Sequence, residues 1–317
     1  MGVNLDKPQR WKEDIARSVD LYNEWFLQFA PKTYREERNK AAKDVETMLQ
    51  KTDYLRKLTP DILKEAPSIL FALRMSTAPP IARDRLVGLA NVPKNLITNM
   101  ELNERLPPKM TRPALEFNLQ KIINMIMRLA DVDIFPWLYE KRSPTKEEVY
   151  RATTIVGDRL CGANTDPIIR NAQEQRQLQK IKEWLETRGY TDTSGRTNFS
   201  DLKPGEFAFR LNVVGLKEDN KPVNIPVDAV VVPLKAKTPE LPIMIEAKSA
   251  GDFTNTNKRR KEEAVKIGQL RRKHGSNVQY LLFLCGYFDS GYLGYEAAEG
   301  IDWVWEHRIN DLAEFGL

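Results

Sequence analysis

Asn224-Ile225-Pro226-Val227-Asp228-Ala229-Val230-Val231-Val232-Pro233, followed by Leu241-Pro242-Ile243-Met244-Ile245-Glu246-Ala247-Lys248, forms two short apolar runs that each carry charge. Both runs are too short for a helix, and their composition predicts two strands. Alternation along a strand puts Glu246 and Lys248 on one side, which is why one residue separates them. Two carboxylates and a lysine at the ends of adjacent strands can hold a divalent metal and an ammonium against one phosphate. That geometry suits hydrolysis of a nucleic-acid backbone.

Outward from these strands the pattern is α/β. Phe207 to Val214 alternates as a third strand, with Phe207, Phe209, Leu211 and Val213 expected on one face. Lys258 to Lys273 predicts a helix, Val278 to Leu284 a buried strand of the parallel kind, and Ile309 to Phe315 a closing helix. From residue 165 the order is therefore helix, three strands, helix, strand. Upstream the chain is almost entirely helical. Trp11 to Phe29 has apolar residues at helical spacing and is expected to stop at Pro31. Thr59-Pro60 opens a segment that Pro67 breaks or kinks, and Pro113 to Leu129 is amphipathic. Thr145 and Glu148 form a capping box for a helix to about Leu160, and a further helix from about Pro167 ends at Gly189. These signals place a helical domain at 1–160, suited to DNA or dimer contacts, and the α/β domain at 161–317. Arg74, Arg83 and Arg85 are its candidate contact residues.

At 317 residues, 41% hydrophobic and 29% charged, the composition is that of an ordinary globular protein. No apolar stretch approaches a membrane span, and the N-terminus lacks the layout of a secretory signal, so a cytoplasmic location is expected. Cys161 and Cys285 are far apart in apolar surroundings and read as buried free thiols. The two histidines, His274 and His307, disfavour a zinc finger, an HNH-type nuclease or a phospholipase D-like nuclease. Both are expected to be structural. A net charge of +5 with pI near 9.0 fits a phosphate-rich partner.

Phosphodiester hydrolysis needs a neutralised phosphate, an activated water and a stabilised leaving oxygen. Mg²⁺ on Asp228, Glu246 and the Ala247 carbonyl would serve these needs, with Lys248 stabilising developing charge or orienting water. Directly after this site comes a polar loop and a basic helix start. Asp252, Asn255, Asn257, Lys258, Arg259 and Arg260 are the candidate DNA contacts, since such side chains meet base edges and phosphates. Lys266, Arg271, Arg272 and Lys273 are expected to be solvated or to touch phosphates without specificity.

This arrangement resembles the PD-(D/E)xK nuclease superfamily. Within it, Asn171-Ala172-Gln173-Glu174-Gln175-Arg176-Gln177-Leu178, Ile245 to Phe253, Gly300 to Arg308 and Arg74 to Leu86 resemble the XamI family of type II restriction endonucleases. The resemblance implies a restriction-endonuclease-like core and Mg²⁺-dependent cleavage of double-stranded DNA at a short palindrome, GTCGAC. It also implies a homodimer matching the two-fold axis of the DNA, and a partner methyltransferase protecting host DNA. The proline stands two places before Asp228 rather than beside it. Glu262 lies where some such enzymes carry a migrated carboxylate and competes with Glu246 as second metal ligand, while Glu174 is a candidate outer carboxylate. A structure-specific repair or recombination nuclease, or a non-catalytic DNA-binding module on the same fold, are the competing readings.

Overall fold

The computed structural model describes residues 2–195, 198–237, 241–254 and 256–317, the side chains of 257–260 lying outside the description. It divides into two compact units, Ala30–Ile169 and the discontinuous pair Met1–Phe29 with Arg170–Leu317. Two long helices, α1 (Pro8–Lys51) and α8 (Lys146–Glu186), run from one unit into the other.

Both helices overrun a proline that was expected to limit them. α1 continues through Pro31, and α8 joins what the sequence suggests are two helices by passing through Pro167. A helical proline deprives the carbonyl four residues earlier of its donor. Those carbonyls belong to Leu27 and Ala163, both on exposed residues where water can replace the lost bond. The capping box at the start of α8 is present. Thr145 N–H donates to Glu148 Oε2 at 2.8 Å, and Glu148 N–H donates to Thr145 Oγ1 at 3.2 Å.

Within the helical unit, α2 (Pro60–Glu65) is capped by the Thr59 hydroxyl, and a 3₁₀ turn at Pro67–Ile69 separates it from α3 (Leu70–Met75). Then follow α4 (Arg83–Ala90), α5 (Lys94–Leu102), α6 (Arg112–Leu129) and α7 (Pro136–Tyr139). Their apolar faces close on a core that includes Leu63, Leu70, Leu96, Ile122 and Trp137. Buried among them is Glu101, clasped by Arg74 and Arg83. Arg74 is only 4% exposed, so it holds this unit together and is not placed to meet DNA or a second chain. Arg85 is exposed.

The other unit is built on one mixed sheet. Its strands are β1 (Thr191–Asp192), β2 (Glu206–Leu216), β3 (Pro222–Val231), β4 (Ile243–Ala250), β5 (Tyr280–Gly286) and β6 (Asp302–Trp305), paired in that order. β2, β3 and β4 are antiparallel, and β4, β5 and β6 are parallel. α9 (Thr256–His274) connects β4 to β5, and α10 (Ser290–Ala298) connects β5 to β6. The expected succession of helix, three strands, helix and strand is found in α8, β2 to β4, α9 and β5, with the two-residue β1 before β2 and with α10 and β6 beyond it. The closing segment is a 3₁₀ stretch, Glu306–Phe315, rather than an α-helix.

Each face of the sheet is covered, so β5 is buried at every position. One face packs Ile181, Trp184 and Leu185 of α8 against Phe207, Ile245 and Phe283. The other packs Ile267 and Leu270 of α9 and Tyr292 and Leu293 of α10 against Val227, Met244 and Leu282. The expectation that Phe207 and Val213 share a face does not hold: Phe207 lies in the first layer and Val213 in the second. Arg210, between them, has φ +55°, and this left-handed residue reverses the alternation of β2.

The first residues of the chain fasten onto the last ones of this unit. Asp302 accepts backbone N–H bonds from Val3, Asn4 and Leu5, the latter two at 3.0 Å. Asp14 meets His307 at 3.1 Å and Arg308 at 3.0 Å. His274 contacts the Val214 carbonyl at 2.8 Å, so both histidines serve structure as expected. Cys161 and Cys285 are buried and free. Among the described residues, no helix is long and apolar enough to cross a membrane.

Candidate active site

The β3–β4 ladder pairs Val231 with Ile243, Val230 with Met244 and Ala229 with Ile245, and there it stops. The next residues along the two strands are Asp228 and Glu246. The strands thus part where the carboxylates begin, and a backbone amide is freed for other use. Ala247 N–H donates to Asp228 Oδ2 at 2.9 Å. On the far side of β3, the β2 pairs Phe209–Ala229 and Leu211–Val227 flank the left-handed Arg210. The sheet is therefore regular up to Asp228 and distorted around it.

Glu246 and Lys248 extend from β4 toward α9. Lys248 Nζ lies 3.0 Å from Glu246 Oε1 and 2.8 Å from Glu263 Oε1. Glu263 is fully buried, and its second oxygen accepts the Tyr280 hydroxyl. Lys266, one turn further along α9, also donates to Glu246 Oε1. Glu246 is 5% exposed, and its other oxygen, Oε2, is buried without a hydrogen-bond partner among the described residues. From beneath, the Gln177 amide of α8 donates to the carbonyls of Lys248 and Phe283, both at 3.2 Å, and pins β4 and β5 at this level.

These neighbours set the protonation states. Burial, reinforced by the negative charge of Glu246, pushes the Asp228 carboxyl up to about 6, with the Ala247 N–H and Lys248 acting in the opposite direction. Burial disfavours the charge on Lys248, but Glu263 and Glu246 outweigh it and hold the ammonium above the ordinary lysine range. Lys248 is therefore a fixed positive charge near neutral pH.

Of the predicted residues, the structure brings together Asp228, Glu246, Ala247 and Lys248. Glu262 is exposed, and its neighbour Glu263 is the residue that α9 turns toward Lys248. Glu174 pairs with Arg210 at 2.7 Å, and its charge is felt at Asp228. Asp252 is exposed in the loop after β4, where its Oδ1 accepts the Thr254 N–H at 2.8 Å. Asn255 lies outside the described residues, as do the side chains of Asn257, Lys258, Arg259 and Arg260. Lys266 is not the solvated residue expected. Arg271 donates to the Glu299 carbonyl, and Arg272, which is exposed as expected, donates to that of Leu216, both at 3.0 Å, tying α9 to its surroundings.

Glu263 and Lys266 escaped the sequence reading, although a signal existed. Glu263, Ile267 and Leu270 stand at i, i+4 and i+7, so Glu263 shares the apolar stripe that faces the sheet, and Glu262 does not. Arg210 and Gln177 had no such signal, since a strand kink and a helix-to-strand amide contact are tertiary events.

The donor set suits a small hard cation. Asp228 and Glu246 are oxygen donors on diverging strands, and the open Glu246 Oε2 is a buried acceptor in want of a partner. Among the described residues no group of three or more His, Cys, Asp or Glu side chains is assembled around a metal position. A cation here would complete its shell from backbone, water and substrate phosphate, as Mg²⁺ commonly does.

The XamI restriction endonuclease family profile matches residues 53–305, a span that contains every one of these side chains. The chain belongs to the XamI restriction endonuclease family. A curated relative from Streptomyces albus G, described as type II restriction enzyme SalI, is 54% identical over 318 residues, covering 99% of each chain. No solved structure matches. Asp228, Glu246 and Lys248 thus lie in a restriction endonuclease chain, where hydrolysis of DNA is the chemistry to be explained.

Proposed function

We propose that this chain is a type II restriction endonuclease that uses Mg²⁺ to hydrolyse double-stranded DNA at a palindrome, with GTCGAC as the site suggested by the family resemblance. The observation that carries the reading is the meeting of Asp228, Glu246 and Lys248 where two core strands diverge, in a chain of this family. The topology around that point, with α8 beneath, β2 to β4 antiparallel and α9 leading to a parallel β5, supports a restriction-endonuclease-like core. We place the catalytic function in the α/β domain and assign the helical domain to DNA or dimer contacts.

Asp228, Glu246 and the Ala247 carbonyl would hold the metal. We prefer Glu246 to Glu262 as the second carboxylate because Glu246 is buried beside Asp228 with an open oxygen, whereas Glu262 is exposed. Bound Mg²⁺ would lower the pKa of a water and neutralise the phosphate. Lys248, held charged by its carboxylate partners, would orient the attacking water and stabilise charge developing on the phosphoryl oxygens. Asp228, with Ala247 N–H fixing one oxygen, would keep its other oxygen directed to the site. The Asp252 loop and the basic start of α9, with Asn255, Asn257, Lys258, Arg259 and Arg260, would read and grip the DNA. A palindromic site calls for a homodimer, protection of host DNA calls for a cognate methyltransferase, and action on host and invading DNA fits a cytoplasmic location.

Digestion of DNA of known sequence with and without Mg²⁺, followed by sequencing of the fragment ends, tests this. The expected result is a fixed set of fragments, all ending at one palindrome and all absent in chelator. Degradation without fixed ends, or no cutting of duplexes containing GTCGAC, would overturn the specific reading.

A further inference from the structure

Glu246 Oε1 receives two ammonium groups, from Lys248 and Lys266, while Oε2 in the same buried carboxylate receives none. The two lysines are not equivalent. Lys248 is clamped between Glu246 and Glu263, both nearly or wholly buried, and Glu263 is itself anchored by Tyr280. Lys266 comes from the adjacent turn of α9, its side chain is 23% exposed, and its ion pair with Glu246 is the contact shown for it among the described residues. One lysine is built in, and the other can leave.

A cation approaching Glu246 would meet both positive charges within a few ångströms. Like charges at such distances in a partly buried site repel strongly, which disfavours both ammonium groups staying. The partly exposed Lys266 can swing its flexible stem to water at lower cost than Lys248, which would have to abandon a buried carboxylate. On this basis, and resting on the metal site proposed above, we propose that Lys266 is a positioning residue that holds Glu246 in the metal-free enzyme and competes with the divalent cation for it. The ammonium holds a buried carboxylate in place until the metal arrives, at the expense of metal affinity.

The test is calorimetric titration of Mn²⁺ alone into the full-length protein without DNA. Lys266→Met, which keeps the stem and removes the charge, is expected to bind Mn²⁺ about tenfold more tightly than the wild type, and Lys266→Arg, which keeps a cation, to bind as the wild type does. Unchanged or weaker binding by a folded Lys266→Met protein overturns the proposal. A second measurement needs no variant: acylation of wild-type lysines, read by peptide mass spectrometry. Lys266 should become more reactive as Mn²⁺ saturates the protein, and equal or lower reactivity overturns the idea. Glu246→Gln separates the two layers of the argument. If that change leaves Mn²⁺ binding intact, the metal site itself is misassigned; if it abolishes binding while Lys266→Met has no effect, only the role of Lys266 fails.

Discussion

Glu101 and Glu246 are buried glutamates that each lie between two basic side chains, and the two pairings are arranged in opposite ways. In the helical unit, Glu101 is saturated. Oε2 accepts from Arg74 Nη2 at 2.9 Å and from Arg83 Nε at 2.8 Å, while Oε1 accepts from Arg74 Nε. In the α/β unit, Glu246 gives both of its cations the same oxygen and leaves the other empty. Guanidinium groups make planar, two-oxygen pairs that close a carboxylate, whereas ammonium groups act as point charges and leave room. Burial and pairing alone do not mark a functional carboxylate.

The contrast can be broken most sharply at Lys248. Lys248→Ala should lower the rate of DNA cleavage by about a thousandfold while leaving DNA affinity within a few-fold, measured by single-turnover kinetics and filter binding. A loss of binding equal to the loss of rate would move Lys248 from chemistry to grip. Glu101→Ala should do the reverse. It strands Arg74 in the core, so urea unfolding should show a loss of about 3–5 kcal/mol, with any activity loss tracking the folded fraction.

A third carboxylate tests whether burial without a cation behaves differently again. Glu296 of α10 is fully buried, and that burial pushes its carboxyl up to about 8 from an ordinary value of 4.5, with the Tyr292 hydroxyl bond opposing the rise. Because the folded pKa is the higher one, the associated stability is fully present below about 4.5 and is lost as pH rises through about 8. Glu296→Gln should flatten that slope and raise stability at pH 8 by on the order of 2 kcal/mol, seen in urea melts across pH. A slope unchanged by the substitution assigns it to other groups.

The smallest effect concerns Asp228. A carboxyl raised to about 6 binds a proton in competition with metal, so Mn²⁺ affinity should be constant above that pH. Below it, affinity should fall by about tenfold per pH unit. Calorimetry at a series of pH values checks this, and a flat profile down to pH 5 would remove Asp228 from the metal site.

The strands of the candidate site were legible because a charge inside a short apolar run is a local signal. Asp228, Glu246 and Lys248 needed no knowledge of their neighbours, and the capping box at Thr145 and Glu148 was equally local. What the sequence hid depended on phase or on distance. Which of Glu262 and Glu263 faces the sheet is decided by about 100° of helix rotation, which only the positions of Ile267 and Leu270 disclose. Arg210 gives no hint in the sequence that it takes φ +55° and reverses the faces of β2. The continuity of α1 and α8 through Pro31 and Pro167 falls where Leu27 and Ala163, whose carbonyls lose their helical donors, are exposed residues.

The clasp of Asp302 on the amides of Val3, Asn4 and Leu5 fixes an order of events during synthesis. The unit that carries the site is opened after Phe29, interrupted by the helical unit, resumed at Arg170 and fastened by contacts spanning up to 299 residues. A ribosome must deliver almost the whole chain before that fastening can form, whereas the helical unit is complete by residue 169. The unit that carries the candidate site is thus the last part of the nuclease to be closed.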